Sequence, residues 1–249
     1  MPLQEGIATS SGALALKVIR GGASDPTPAP VIDPIDWPHV TNNAMKLSLA
    51  PVLRYGLPHK AESDVVNEWR VKNIPNLMRG FRRVALAKTF KIPTHFGALY
   101  VAKIAADGEV TPYGLASLRV VTDTGVGFIV DAFQNTVELE NMKFHGMGTG
   151  GTAESAAQTA LVTELTTEYN PNSTRATGTT VEGATANIYR TVGTNTIDSG
   201  TPAITEHGVF SQAATGGGVM IDRSLFAAIN LAGGDGIQFT YELTFTSGG

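Results

Sequence analysis

Gly236-Ile237-Gln238-Phe239-Thr240-Tyr241-Glu242-Leu243-Thr244-Phe245-Thr246 decides the fold class. Ile237, Phe239, Tyr241, Leu243 and Phe245 alternate with Gln238, Thr240, Glu242 and Thr244. A period of two is that of a β-strand with one face buried and the other wet or against a partner. Working back along the chain, 218–222, 203–211, 185–193 and 173–181 are further short strand candidates. The breakers Gly216-Gly217-Gly218 and Asn170-Pro171-Asn172-Ser173 separate them. Upstream, 136–145, 126–133, 116–121, 96–106 and 81–90 are β-branched or aromatic and bounded by Gly, Pro or Asp, and are predicted as strands. Two helices are predicted: Ala61 to Arg70, capped by Ser63 or Asp64, and Ala153 to Leu165, with Thr152 as N-cap. Many short strands at this spacing predict a mainly β chain. The expected body is an antiparallel β-sandwich or jelly-roll with one or two short helices.

The chain has 249 residues, no cysteine, 28 glycines and 13 prolines. Charged residues make up 16%, against about 25% in an ordinary soluble domain. The absence of cysteine excludes disulfides, thiolate nucleophiles and Cys-ligated zinc. So large a surface with so few charges points to an assembled protein. The N-terminus lacks a positive n-region, and no apolar run reaches the ~18–20 residues of a spanning helix, so the chain is expected to be soluble, made in a cytoplasm and without a membrane partner. Residues 1–145 carry a net charge of +2 and residues 146–249 one of −6.

Residues 21–60 contain Pro26, Pro28, Pro30, Pro34, Pro38, Pro51 and Pro58, which rule out a helix and a central strand. The same stretch carries Val31, Ile32, Ile35, Trp37 and Tyr55, more apolar groups than a disordered tail uses. An extended N-terminal arm over 1–62 is expected to lie on its own domain or on a neighbouring subunit, with those five residues as anchors. The body follows over 63–249, with a point of subdivision at 146–151. Arg70, Lys72, Arg79, Arg82, Arg83, Lys88 and Lys91 form a basic stretch interleaved with Trp69, Phe81 and Phe90. It suits phosphate contacts or docking on an acidic protein surface. In an acidic chain the second is preferred, with Arg70, Arg79, Arg82 and Arg83 as docking groups and nucleic acid not expected as a partner.

Candidate chemistry is sparse. Gly146-x-Gly148-x-x-Gly151 has the spacing of a dinucleotide fingerprint, but no parallel βαβ series surrounds it, so a glycine-rich turn into a capped helix is expected instead. His39, His59, His95, His145 and His207 are scattered, and nothing in their spacing argues for a metal. Glu206 and His207, adjacent on a strand, point to opposite faces. Glu138 and Glu140 share a face at a polar edge. No serine-elbow, P-loop or His-Glu-x-x-His motif is present. No catalytic, cofactor-binding or metal-binding residue is therefore nominated.

Several stretches resemble structural proteins of tailed bacteriophages. They are 131–136 (DAFQNT), 144–150 (FHGMGTG), 159–165 (TALVTEL), 175–178 (RATG), 204–210 (ITEHGVF), 217–223 (GGVMIDR) and 241–245 (YELTF). The resemblance covers about the last half of the chain and leaves out the arm and the basic segment. It implies a β-sandwich virion protein that is no enzyme and carries no cofactor. The role that best suits the arm and the low charge is a capsid cement (decoration) protein. Such a protein would be a homotrimer that staples neighbouring capsomers, with the major capsid protein or another virion protein as partner. It would be assembled in a bacterial cytoplasm and found in the virion. A tail, neck or fibre-attachment protein is the alternative.

Overall fold

The alternating segment becomes β10 (Gly236–Thr246), in the interior of the larger of two sheets. The computed structural model describes residues 55–89, 94–183 and 185–246. Among them, the larger sheet places β2 (Val110–Val120), β1 (Thr94–Ile104), β10 and β7 (Ile188–Ile197) side by side. β4 (Tyr169–Asn170) and β6 (Thr179–Glu182) both pair with the outer edge of β7. The second sheet runs β5 (Ala176–Thr177), β3 (Phe144–Gly148), β8 (Ala203–Phe210) and β9 (Met220–Asn230). Every pairing is antiparallel. The expected mainly β, antiparallel sandwich is the architecture found. Leu99, Val101, Ile237, Phe239 and Tyr241 of one sheet meet Met147, Val209, Phe226 and Ile229 of the other in a single core. The second face of β10 is withdrawn from water as well: Thr240, Glu242 and Thr244 are buried, and Glu242 pairs with its register neighbour Arg190 at 2.6 Å.

The helices depart from expectation. The first, α1 (Asp64–Thr89), has 26 residues, so 81–90, read as a strand, is mostly its C-terminal part. Pro75 lies inside it, exposed to solvent, as is Val71, whose carbonyl the proline leaves without a helical donor. The roughly 3 kcal/mol that an interior proline costs is offset by burying Val66, Trp69, Leu77, Phe81 and Val84 on one face. α1 packs on β2 and β9, the edge strands of the two sheets. Its polar groups serve those edges directly. Asn73 donates to Ala116 O (2.8 Å) on β2 and accepts from Ala227 N (2.9 Å) on β9, and Trp69 Nε1 donates to Ala227 O (2.7 Å). A helix laid over two edges in this way protects backbone groups that would otherwise template aggregation.

The second helix, α2 (Asp123–Phe133), replaces the strand expected at 126–133. Val126, Ile129 and Val130 favour strand, but Thr122 caps the helix by accepting from Gly125 N at 3.0 Å, and Asp123 sits in the first turn. The buried positions Gly125, Phe128 and Ile129 follow a helical, not an alternating, period. Segment 136–145 is likewise not a strand over most of its length. It holds a turn and a single 3-10 turn (Leu139–Asn141) before β3 begins. The helix expected at 153–165 does not form; the chain there is irregular. Among the described residues no helix is long and apolar enough to cross a membrane.

Candidate functional site

The irregular stretch between β3 and β4 lies over the outer face of the second sheet and is held there by the buried carboxylate of Glu206 and the half-buried one of Glu164. Glu206 on β8 accepts from Gly150 N (3.0 Å), Val162 N (3.1 Å) and Thr163 N (2.7 Å), and from Arg223 Nε (2.7 Å) on β9. Arg223 Nη1 in turn donates to Thr152 O (2.8 Å) and Gln158 Oε1 (3.1 Å). Those amides are the ones a helix would have used, which is why the helix-favouring composition of 153–165 is overridden. A Cβ at Gly150 would lie 2.5 Å from Glu206 Oε1, so the glycine-rich segment is glycine-rich to admit this carboxylate. The place of the anion in a dinucleotide fingerprint is thereby taken from within the chain, but the expected turn into a capped helix is not found: Gly146 and Gly148 lie in β3 and no helix follows among the described residues. Further along, Arg175 grips Glu164 through Nε (2.5 Å) and Nη2 (2.9 Å) while its guanidinium lies 3.5 Å over the Phe210 ring. Arg175 Nη1 donates to the carbonyls of Gln212 (3.0 Å) and Gly217 (2.8 Å), closing the loop before β9.

On the inner face, register does what spacing along the chain does not show. His145 on β3 and His207 on β8 meet at 3.0 Å (Nδ1 to Nε2), and His145 Nε2 reaches Thr191 Oγ1 on β7 at 3.1 Å. This chain of polar groups bridges the two sheets beside the Phe239 ring. Burial pushes His145 down to about 3, and burial with the neighbouring His145 pushes His207 well below its ordinary range. Both rings are therefore neutral at physiological pH, and Glu206 and His207 do face opposite sides of β8. Among the described residues no group of three His, Cys, Asp or Glu side chains is placed to hold a metal. Asp222, the register partner of Val209, also faces inward. Burial raises its carboxyl to about 7, against the opposing hydrogen bond from Ser224 Oγ (2.9 Å) and the charge of Arg119.

Much of the exposed apolar and cationic surface among the described residues belongs to the two helices. On α2, Val126, Val130 and Phe133 recur at i, i+4 and i+7 and are all exposed, Phe133 by 85%. Leu139 in the adjoining 3-10 turn is exposed too, and Asp131, Glu138 and Glu140 lie exposed around the stripe. On α1, Arg79, Arg82 and Arg83 are exposed at i, i+3 and i+4. Both helices are carried by the same strand: α1 bonds Ala227 of β9, and the α2 cap donates its hydroxyl to Met220 O (2.6 Å) of β9.

Of the residues expected to dock partners, Val31, Ile32, Ile35 and Trp37 lie outside the described residues. Tyr55 is buried in the chain's own body, 6.3 Å from Phe81 between ring centroids, and its carbonyl accepts from Arg70 Nη1 at 3.2 Å. This end of the 1–62 segment therefore belongs to the body. Arg70 is only 6% exposed and pairs with Glu62 at 2.5 Å, so it is an internal tie and not the free docking cation expected. Arg79, also hydrogen-bonded to Asn76, Arg82 and Arg83 keep an outward face. The β-branched content of 126–133 hides the α2 stripe in the sequence; the spacing Val126, Val130, Phe133 carries the signal only on a helix. Comparison with known protein families, curated proteins and solved structures finds no match to this chain.

Proposed function

We propose that the chain is a structural protein of a tailed-bacteriophage particle, a capsid cement protein that binds across neighbouring subunits of the shell. The observation that carries this reading is the exposed stripe Val126, Val130 and Phe133 on α2, extended by Leu139. A monomer has no use for a fully presented phenylalanine backed by two valines on a helix otherwise well seated. The arginines of α1, which packs on β9 as α2 does, offer an exposed cationic face that favours an acidic neighbour and steers its approach. The interior supports the same reading from the other side. The carboxylates Glu164, half-buried, and Glu206 and Glu242, buried, each pair with an arginine, and Glu206 also takes backbone amides, so their role is to stiffen the platform that presents the helices.

The mechanism is binding without turnover. A stable interface buries roughly 1,200–2,000 Å². The two helices supply part of that, and the proline-rich residues 1–54 supply the remainder by lying on a neighbour. Many copies, each holding weakly, make loss of the shell slow. Co-sedimentation of the purified chain with empty heads tests this: the wild type should pellet with heads and Phe133→Asp should not, while both give the same circular dichroism spectrum. Equal pelleting by the two proteins would remove the α2 surface from the proposal.

A further inference from the structure

Between α1, β2, β9 and segment 152–158 lies a cavity of about 250 Å³ lined by Arg83, Arg119 and Arg223, with Thr122, Glu154 and Ser155. Three guanidinium groups face one carboxylate. Each arginine comes from a different element, and two of them are buried. Arg119 on β2 pairs with Glu154 and donates to the carbonyls of Leu118 (3.1 Å) and Leu225 (3.3 Å), yet its buried Nε has no hydrogen-bond partner. Arg223 is held by Glu206, whose charge is already shared among three backbone amides. Arg83 is exposed and, among the described residues, has neither an ion-pair nor a hydrogen-bond partner. Burial depresses Arg119 below its ordinary value against the charges of Glu154 and Asp222, and the smaller effects of Arg79 and Arg83 act in the same direction as burial, which places those cations within electrostatic reach of it. The N-terminal end of α2, an 11-residue helix, reaches the same cavity through its cap Thr122 and adds the positive end of its dipole.

Glu154 and Glu206 balance Arg119 and Arg223, so the charge left without a counter-ion at this cavity is that of Arg83. We propose that this cavity binds a free tetrahedral oxyanion of the phosphate type, held between Arg83, Arg119 and Arg223. The planar guanidinium matches two oxygens of such an ion at once, and the volume admits an ion of this size with water. Bound there, the ion ties α1 to β2 and β9 and to the 152–158 segment, so it stabilises the seam that Asn73 also closes. The site requires no partner subunit; it shares Arg83 with the cationic face of α1, and its test uses the isolated chain.

Thermal unfolding of the full chain in sodium phosphate against sodium chloride of equal ionic strength is the test. Phosphate also stabilises proteins by exclusion from their surface, an effect that does not saturate, so the readout is a saturable rise in Tm in the low millimolar range. The wild type should show it. Arg83→Gln should keep its Tm in chloride within about 2 °C, since the side chain is exposed, and should weaken the apparent phosphate affinity by about tenfold or more. Arg82→Gln, one residue along and outside the cavity lining, should respond as the wild type does. A wild type with no saturable response overturns the proposal. So does an Arg83→Gln response equal to that of the wild type, or an Arg82→Gln loss as large as that of Arg83→Gln.

Discussion

Asp222→Asn should stabilise this protein, and more so as the pH rises. The carboxyl faces the interior of the sandwich, and burial raises it from an ordinary value of 3.8 to about 7, with Ser224 and Arg119 opposing. Between those two values the folded chain holds a proton that the unfolded chain has released. Stability contributed at this position is therefore highest at low pH, falls as the pH rises through 4 to 7, and is fully lost above 7. At about 1.36 kcal/mol per pH unit the whole displacement amounts to about 4 kcal/mol. Asparagine has the same shape, retains an acceptor for Ser224 Oγ and carries no charge to bury. Arg119 keeps Glu154 as its counter-ion. Urea unfolding of both proteins should give a gain of about 1 kcal/mol at pH 4.5, growing toward 4 kcal/mol at pH 8. The difference between the two proteins cancels the titration of His145 and His207, which both share. A gain that does not grow with pH, or a variant less stable than the wild type at pH 8, would refute the reasoning.

Three further outcomes are expected. Glu206→Gln leaves Arg223 buried without its carboxylate and should cost about 3–5 kcal/mol; hydrogen exchange at Gly150, Val162 and Thr163 should accelerate ahead of the rest of the sheet. Asn73→Leu unpairs Ala116 O and Ala227 N on two edge strands, a loss of about 2–4 kcal/mol by denaturant unfolding together with faster aggregation seen by light scattering. Removal of residues 1–54 should leave a cooperatively folding body, because Tyr55 and the carbonyl that receives Arg70 are retained, while pelleting with empty heads is lost. A truncated protein that still pellets with heads would remove the arm from the proposed mechanism.

The strands that alternate were legible from the amino-acid sequence. β10 and β8 stand close to where Ile237 to Phe245 and 203–211 place them: in β10 the apolar–polar alternation is a local signal, although both of its faces turn out to be covered. Where tertiary contacts override local preference, the reading fails. Val126, Ile129 and Val130 prefer strand, yet the Thr122 cap and a three-to-four-residue spacing of buried groups make them helix. Ala156, Ala157 and Ala160 prefer helix, yet Glu206 takes neighbouring amides and the segment stays open. Arg82 and Arg83 sit on the wet side of a helix that continues through Pro75, whose ring faces solvent. The polar interior was hidden for a different reason: His145 and His207, or Arg83, Arg119 and Arg223, are brought together by strand register and helix packing, which no window along the chain contains.

The account stands or falls on where the chain resides and in how many copies. Quantifying the chain against the major capsid protein in purified tailed-phage particles, separated by gel electrophoresis, tests the proposed particle role directly. The account predicts a stoichiometric component, present in a fixed, high ratio to the capsid protein and released when the shell is dismantled. Complete absence from purified particles, with the chain recovered only free in the lysate, would contradict it.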